Sequence, residues 1–168
     1  MAVKEENIEK NSLEQKNKNV ESKELKINAN GQYIKNLSFE NLQAPQIYTE
    51  RDLNPQIKVS IDINATKLQE EIFEIEMIIN ATAFHKDKEM FIVELIYAGI
   101  FGIKNVDSEE NLKELLFIYC PSLLFPYARR IISDTTRDAA LPPLMLDTIN
   151  FRALYQAKKD KITKNFKK

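Results

Sequence analysis

Apolar and polar residues alternate with period two over much of residues 33–101, and beyond residue 107 the apolar spacing becomes helical. In the first stretch Tyr33, Leu37 and Phe39 fall on one face, with Asn36, Ser38 and Glu40 opposite. Ile57, Val59, Ile61, Ile63 and Ala65 then alternate with Lys58, Ser60, Asp62 and Asn64, which is the strongest strand signal in the chain. Between these strands, roughly Asn41–Pro55 holds two prolines and no periodicity. A connection of that length is too long for a tight hairpin and predicts a segment that crosses the sheet or leaves it.

A third strand is predicted from about Ile72 to Phe84, with Phe73, Ile75, Met77, Ile79 and Ala81 on one face. The sequence His85-Lys86-Asp87-Lys88 reads as a solvated turn, and a fourth strand follows from about Glu89 to Phe101. Phe91, Val93, Leu95 and Tyr97 share one face of it. Met90, Ile92, Ile96 and Ala98 share the other, interrupted by Glu94. A strand apolar on both faces is covered on both, which in so small a chain predicts contact with another subunit.

Asp107 with Glu110 resembles a capping box opening a helix whose stripe is Leu112, Leu115, Leu116 and Tyr119. Pro121 is expected to end that helix, because a proline pushes its predecessor out of the helical region. A second helical run covers about Ser122–Arg137, with Pro126 in its first turn and Leu124, Ala128, Ile131, Ile132 and Thr135 on one face. Ala139–Leu146, with Pro142 and Pro143, reads as a loop, and Asn150 as the N-cap of a last helix bearing Phe151, Leu154 and Tyr155. Strands first and helices later indicate an α+β domain built on an antiparallel sheet.

The ends differ from this body. Residues 1–30 are mostly Lys, Glu and Asn and read as a disordered extension, with a transient helix as the alternative because Glu and Lys favour one. Residues 158–168 carry six Lys and one Asp and read as a flexible basic tail. The intervening 31–157 forms the one folded domain, with 12 basic against 18 acidic side chains. So acidic a body is poorly matched to a phosphate backbone, which argues against nucleic acid as a partner. The N-terminus shows no secretory signal pattern. The apolar stretches Met90–Ile103 and Leu115–Ala128 fall short of the roughly 18–20 residues a spanning helix needs. The chain is therefore expected to be cytoplasmic and not to insert into membranes.

Chemistry is sparse. His85 is the single histidine, Cys120 the single cysteine, and Gly31, Gly99 and Gly102 the only glycines. They cannot supply a His-based catalytic group, a metal site or a phosphate-cradling loop. Cys120, among Leu116, Tyr119 and Leu123, is read as a buried, inert thiol. Glu70, Glu71, Glu74 and Glu76 are read either as a solvated strand face or as a docking surface for a basic partner. Leu53, Leu141, Pro142, Leu144, Phe151, Leu154 and Tyr155 lie outside the sheet pattern, as core cover or as an exposed groove.

The block Tyr119-Cys-Pro-Ser-Leu-Leu-Phe-Pro-Tyr-Ala-Arg129 resembles the SecB family of protein-export chaperones. Leu37-Ser-Phe-Glu40, Gly99-Ile-Phe101, Leu141-Pro-Pro-Leu144 and Ile149-Asn-Phe151 agree in order and spacing, so the resemblance runs from about Tyr33 to Tyr155. It implies a four-stranded antiparallel sheet with a crossover between the first two strands. A long kinked helix pair and a C-terminal helix pack on one side, and the chains assemble as a dimer of dimers. It implies a holdase without ATP or other cofactor that binds unfolded precursor polypeptides and passes them to the SecA motor. By the same resemblance Glu40, Ile92 and Glu94 dock SecA, and Leu53, Val59, Ile61, Leu154 and Tyr155 form the client groove. Phe91, Val93, Leu95 and Tyr97 then serve the homotetramer interface. Asn36 stands where the family carries an acid, Leu53 where it carries a Trp, and the basic tail where it carries an acidic one. The alternative reading is an oligomeric adaptor without client-holding activity; an enzyme is a weaker third.

Overall fold

The computed structural model describes residues 24–50 and 52–165, with side chains as far as Lys159. Four antiparallel strands form one sheet in the order β1-β4-β3-β2: β1 Lys26–Asn41, β2 Gln56–Gln69, β3 Ile72–His85 and β4 Lys88–Lys104. β1 and β2 are consecutive in the chain yet occupy opposite edges, so the connection between them runs from one edge to the other. A short 3-10 turn, Gln46–Thr49, buries Ile47 within it. Lys86 and Asp87 turn the β3–β4 hairpin with φ of 50° and 61°, the positive values a two-residue hairpin turn uses to match sheet twist.

β1 corrects two expectations. It starts at Lys26, inside the segment expected to be disordered, because β4 continues to Lys104 and pairs Ile27 with Ile103 and Ala29 with Phe101. The rest of that segment, residues 1–23, lies outside the described residues. Second, the register shifts between Ile34 and Asn36, leaving Lys35 as the extra residue of a β-bulge. Tyr33 therefore pairs with Ala98 while Leu37 pairs with Leu95, which puts them on opposite faces. Tyr33, Leu37 and Phe39 do not share a face, since a one-residue slip exchanges the two sides of a strand.

One helix, α1, runs from Glu109 to Asp138. Its N-cap is Ser108, not Asp107: the Ser108 hydroxyl accepts from the Asn111 amide at 3.1 Å. Pro121 does not end the helix. Leu115–Tyr119 take π spacing, so the Cys120 amide donates to the Leu115 carbonyl five residues back. This re-registers the ladder just before the residue that has no N–H to give. Ser122 Oγ then donates to the Ile118 carbonyl at 2.6 Å. The stripe Leu116, Cys120, Leu124, Ala128, Ile132 and Thr136 is buried against β3 and β4. Gly99 lets it come close: a Cβ there would lie 2.7 Å from Leu124 Cδ2.

The last helix, α2, spans Phe151–Asn165. Asn150 caps it as expected, its Oδ1 accepting from the Ala153 amide at 3.0 Å. The helix runs past residue 157, so residues 158–165 are not a loose tail. Lys158 Nζ donates to the Ile63 carbonyl at 2.9 Å and pairs with Asp62 at 2.5 Å; Lys159 pairs with Glu110. These partners on β2 and α1 hold Lys158 and Lys159 down.

Candidate binding surfaces

α1 covers β3 and β4 but leaves the inner face of β2 partly bare. The segment after α1 lies opposite that gap. Buried Leu141 and Leu146 anchor it, and the Leu144 amide donates to Thr136 Oγ1 at 2.9 Å. That hydroxyl in turn donates to the Ile132 carbonyl at 3.1 Å, so the only fully buried hydroxyl of α1 pins the loop. Between the loop, β2 and α2 lies a groove of about 540 Å³, walled by Ile57, Val59 and Ile61, by the run Leu144–Ile149, and by Leu154. Its walls are apolar apart from Asp147 and Thr148. Met145 and Thr148 also line a second groove of about 430 Å³ over Phe125, Pro126 and Arg129.

Of the residues expected in the client groove, Val59, Ile61 and Leu154 line it. Leu53 is half-buried against the core and Tyr155 faces away, stacked on Phe117 at 5.6 Å. Neither lines this cavity. The sequence reading missed Ile57 and Met145. Ile57 carried a visible signal, since it alternates in phase with Val59. Met145 carried none, because an aperiodic loop does not show which of its apolar residues stay exposed.

The opposite face of the sheet is open. Glu40 is paired directly across from Ile92, Ser38 from Glu94, and Asn36 from Ile96. Ile78 lies across from Ile96 on the other side. Glu40, Ile92 and Glu94 therefore meet on one surface, with Glu40 and Glu94 exposed and the isoleucines half-buried. At the other end of the face, Lys35 Nζ lies 3.0 Å from both Glu74 oxygens and 2.5 Å from Glu76 Oε1, and Tyr33 donates its hydroxyl to Glu74. The Tyr33 hydrogen bond and then Lys35 hold the Glu74 carboxyl below its usual range. The same bond pushes the Tyr33 phenol up, and Glu76 and Glu74 push the Lys35 ammonium up.

Phe91, Val93, Leu95 and Tyr97 do not form a surface. All four are buried within the single chain under α1, and Tyr97 stacks on Tyr127 at 6.4 Å. The expectation that they meet another subunit is corrected: the helix of the same chain covers them. Exposed instead are Tyr119, Leu123 and Tyr127, one turn apart along the outer side of α1, and Ile34 and Leu37 on the β1 edge.

His85 is also not the solvated turn residue expected. It is buried at the end of β3, its Nε2 3.9 Å from Glu50 Oε2. The hairpin turns one residue later, so its ring points inward. Cys120 is fully buried, and burial pushes its thiol up to about 12, far from a reactive thiolate. Leu115–Ala128 lies inside a helix long and apolar enough to cross a membrane by length and composition. Its shortness as a stretch therefore no longer argues against insertion; what sets this helix apart is that its apolar stripe is packed on the sheet.

Residues 18–162 match the family described as "Preprotein translocase subunit SecB". The "Protein-export protein SecB" of Rickettsia akari is 50% identical over 133 residues, covering 79% of this chain and 87% of its own. That of Rickettsia typhi is 47% identical over the same shares. Among solved structures, a SecB-like chaperone of Mycobacterium tuberculosis, in complex with a ChAD peptide from an antitoxin, matches with a TM-score of 0.61. The two are 16% identical, and the match covers 73% of this chain and 90% of that one, which is a likeness of fold.

Proposed function

The chain belongs to the SecB family of protein-export chaperones, which are not enzymes, and from that premise we propose that it is an ATP-independent cytoplasmic holdase. It binds unfolded precursor proteins, keeps them competent for translocation and delivers them to the SecA motor. The observation that carries this reading is the groove of about 540 Å³ between β2, the loop and α2. Its apolar walls suit an extended apolar segment, whose burial contributes roughly 25 cal/mol per Å². Val59 and Met145 stand 43% and 59% exposed in its wall, which leaves apolar surface open to a client.

Capture needs no fuel. Binding the unfolded form and not the folded one shifts the folding equilibrium by mass action. Slow folders are held and fast folders escape. Several grooves on one assembly raise the apparent affinity for a long client by effective concentration. The exposed apolar line Tyr119, Leu123 and Tyr127 on α1 supports assembly as a homotetramer, a dimer of dimers with the long helices inside. The surface of Glu40, Ile92 and Glu94 supports docking of a basic surface of SecA, with Ile92 as its apolar centre.

Light scattering from a slow-folding precursor diluted out of denaturant tests the reading. One assembly per client suppresses the scattering. Scattering that rises as fast with the protein as without it overturns the holdase reading and leaves an adaptor.

A further inference from the structure

The carboxylates of the open sheet face are not equivalent; Asp62, across from Ile78, is paired with Lys158 at 2.5 Å. Glu40 and Glu94 make no side-chain hydrogen bond or ion pair among the described residues, and both are exposed. Glu74 and Glu76, on β3, are bound by Lys35, at 3.0 Å and 2.5 Å. Glu74 also accepts from Tyr33. Lys35 reaches this face only through the bulge. Leu37 and Phe39 pair with Leu95 and Val93 on the core side, so a regular strand would carry Lys35 to the core side with them. The extra residue lets Tyr33 and Lys35 face outward while Leu37 and Phe39 face the core.

We propose that Lys35 confines the docking surface to the Glu40–Ile92–Glu94 half of the open face: it bridges Glu74 and Glu76, so a basic partner meets the free carboxylates of Glu40 and Glu94 at that half and only a net charge of −1 from the three bridged groups at the other. The inference rests on SecA docking to this face. A bound ammonium leaves its carboxylates little field at the range where an approaching partner is steered. Free carboxylates attract it and raise the association rate. Tyr33 keeps Glu74 turned toward Lys35, so the two ends of one face differ in charge although both are rich in Glu.

The test is titration of the full-length assembly with purified SecA, at low and at physiological ionic strength. Lys35→Gln is expected to bind roughly three- to tenfold tighter at low salt, with a steeper loss as salt rises. Glu94→Gln weakens binding, whereas Glu76→Gln in the otherwise unchanged protein stays within about twofold, since Lys35 already screens its charge. Glu76→Gln in the Lys35→Gln background removes part of the gain, a coupling the double-mutant cycle reads directly. Unchanged or weaker binding by Lys35→Gln overturns the inference. If that variant does not fold, equal losses from Glu76→Gln and Glu94→Gln overturn it instead. Loss on Glu94→Gln without gain on Lys35→Gln removes this inference alone; no binding of SecA by the unaltered protein removes the docking reading and this inference with it.

Discussion

The rings of Phe117 and Tyr155 lie face to face, with centroids 5.6 Å apart and planes inclined by 8°. Phe117 belongs to the π turn of α1 and Tyr155 to α2, so the irregular turn that accommodates Pro121 also presents the ring that seats the groove's outer wall. Arg152 with Glu114 and Lys159 with Glu110 flank the stack. Tyr155→Ala removes a contact of about 0.5–1.5 kcal/mol beyond the lost burial. The expected outcome is faster amide exchange along α2 and weaker client binding, with the β-sheet amides still protected. Hydrogen exchange and a client titration on the same variant check it.

Gly99 is where sheet and helix come closest. A Cβ at Gly99 lies 2.7 Å from Leu124 Cδ2 and 2.8 Å from Phe101 Cε2, both packed side chains. Gly99→Ala is expected to cost about 1–3 kcal/mol by overpacking. It lowers the urea midpoint at unchanged slope. The cost shrinks in a Leu124→Val background, where the opposing branch is shorter.

Assembly and folding separate by position. Val93→Asp places an unpaired charge at a fully buried site and is expected to unfold the chain. Leu123→Glu, on the exposed side of α1, leaves circular dichroism intact and lowers the mass seen by light scattering. A folded, smaller assembly from Val93→Asp contradicts this division.

The Tyr33–Glu74 bond gives a pH window. The Glu74 carboxyl is held low, so its contribution is present above the ordinary carboxylate value and lost as pH falls through the folded one. The Tyr33 phenol is raised, so its contribution is present below the ordinary tyrosine value and lost as pH rises through the folded one. The stability gap between the unaltered protein and Tyr33→Phe is therefore widest from about pH 5 to 9 and closes on both sides. Urea melts across pH check it.

Much of this was legible in the residues. Ile57 to Ala65 and Phe73 to Ala81 alternate without interruption, and both became strands with those residues inward. Asn150 capped α2 as its position implied. What failed were features a period cannot carry. A period of two does not show an inserted residue, so Tyr33 went to the wrong face. Pro121 signals a break unless a wider turn precedes it, and nothing in Leu115–Tyr119 marks a π turn. A lone His in a polar run reads as solvated, yet the turn began at Lys86. The groove was half legible: Val59 and Ile61 through alternation and Leu154 through helical spacing. Met145 was not, because its exposure depends on how Thr136 pins the loop.

The central claim, that the groove beside β2 holds clients, is met most directly by fluorescence titration of a labelled, permanently unfolded precursor. The unaltered protein is compared with Val59→Glu, a change at an exposed wall position that leaves the core untouched. A folded, normally assembled Val59→Glu is expected to bind at least about tenfold more weakly, the loss of roughly 1.4 kcal/mol that one desolvated apolar contact represents. Equal affinity of the two proteins contradicts the claim and places client binding elsewhere on the molecule.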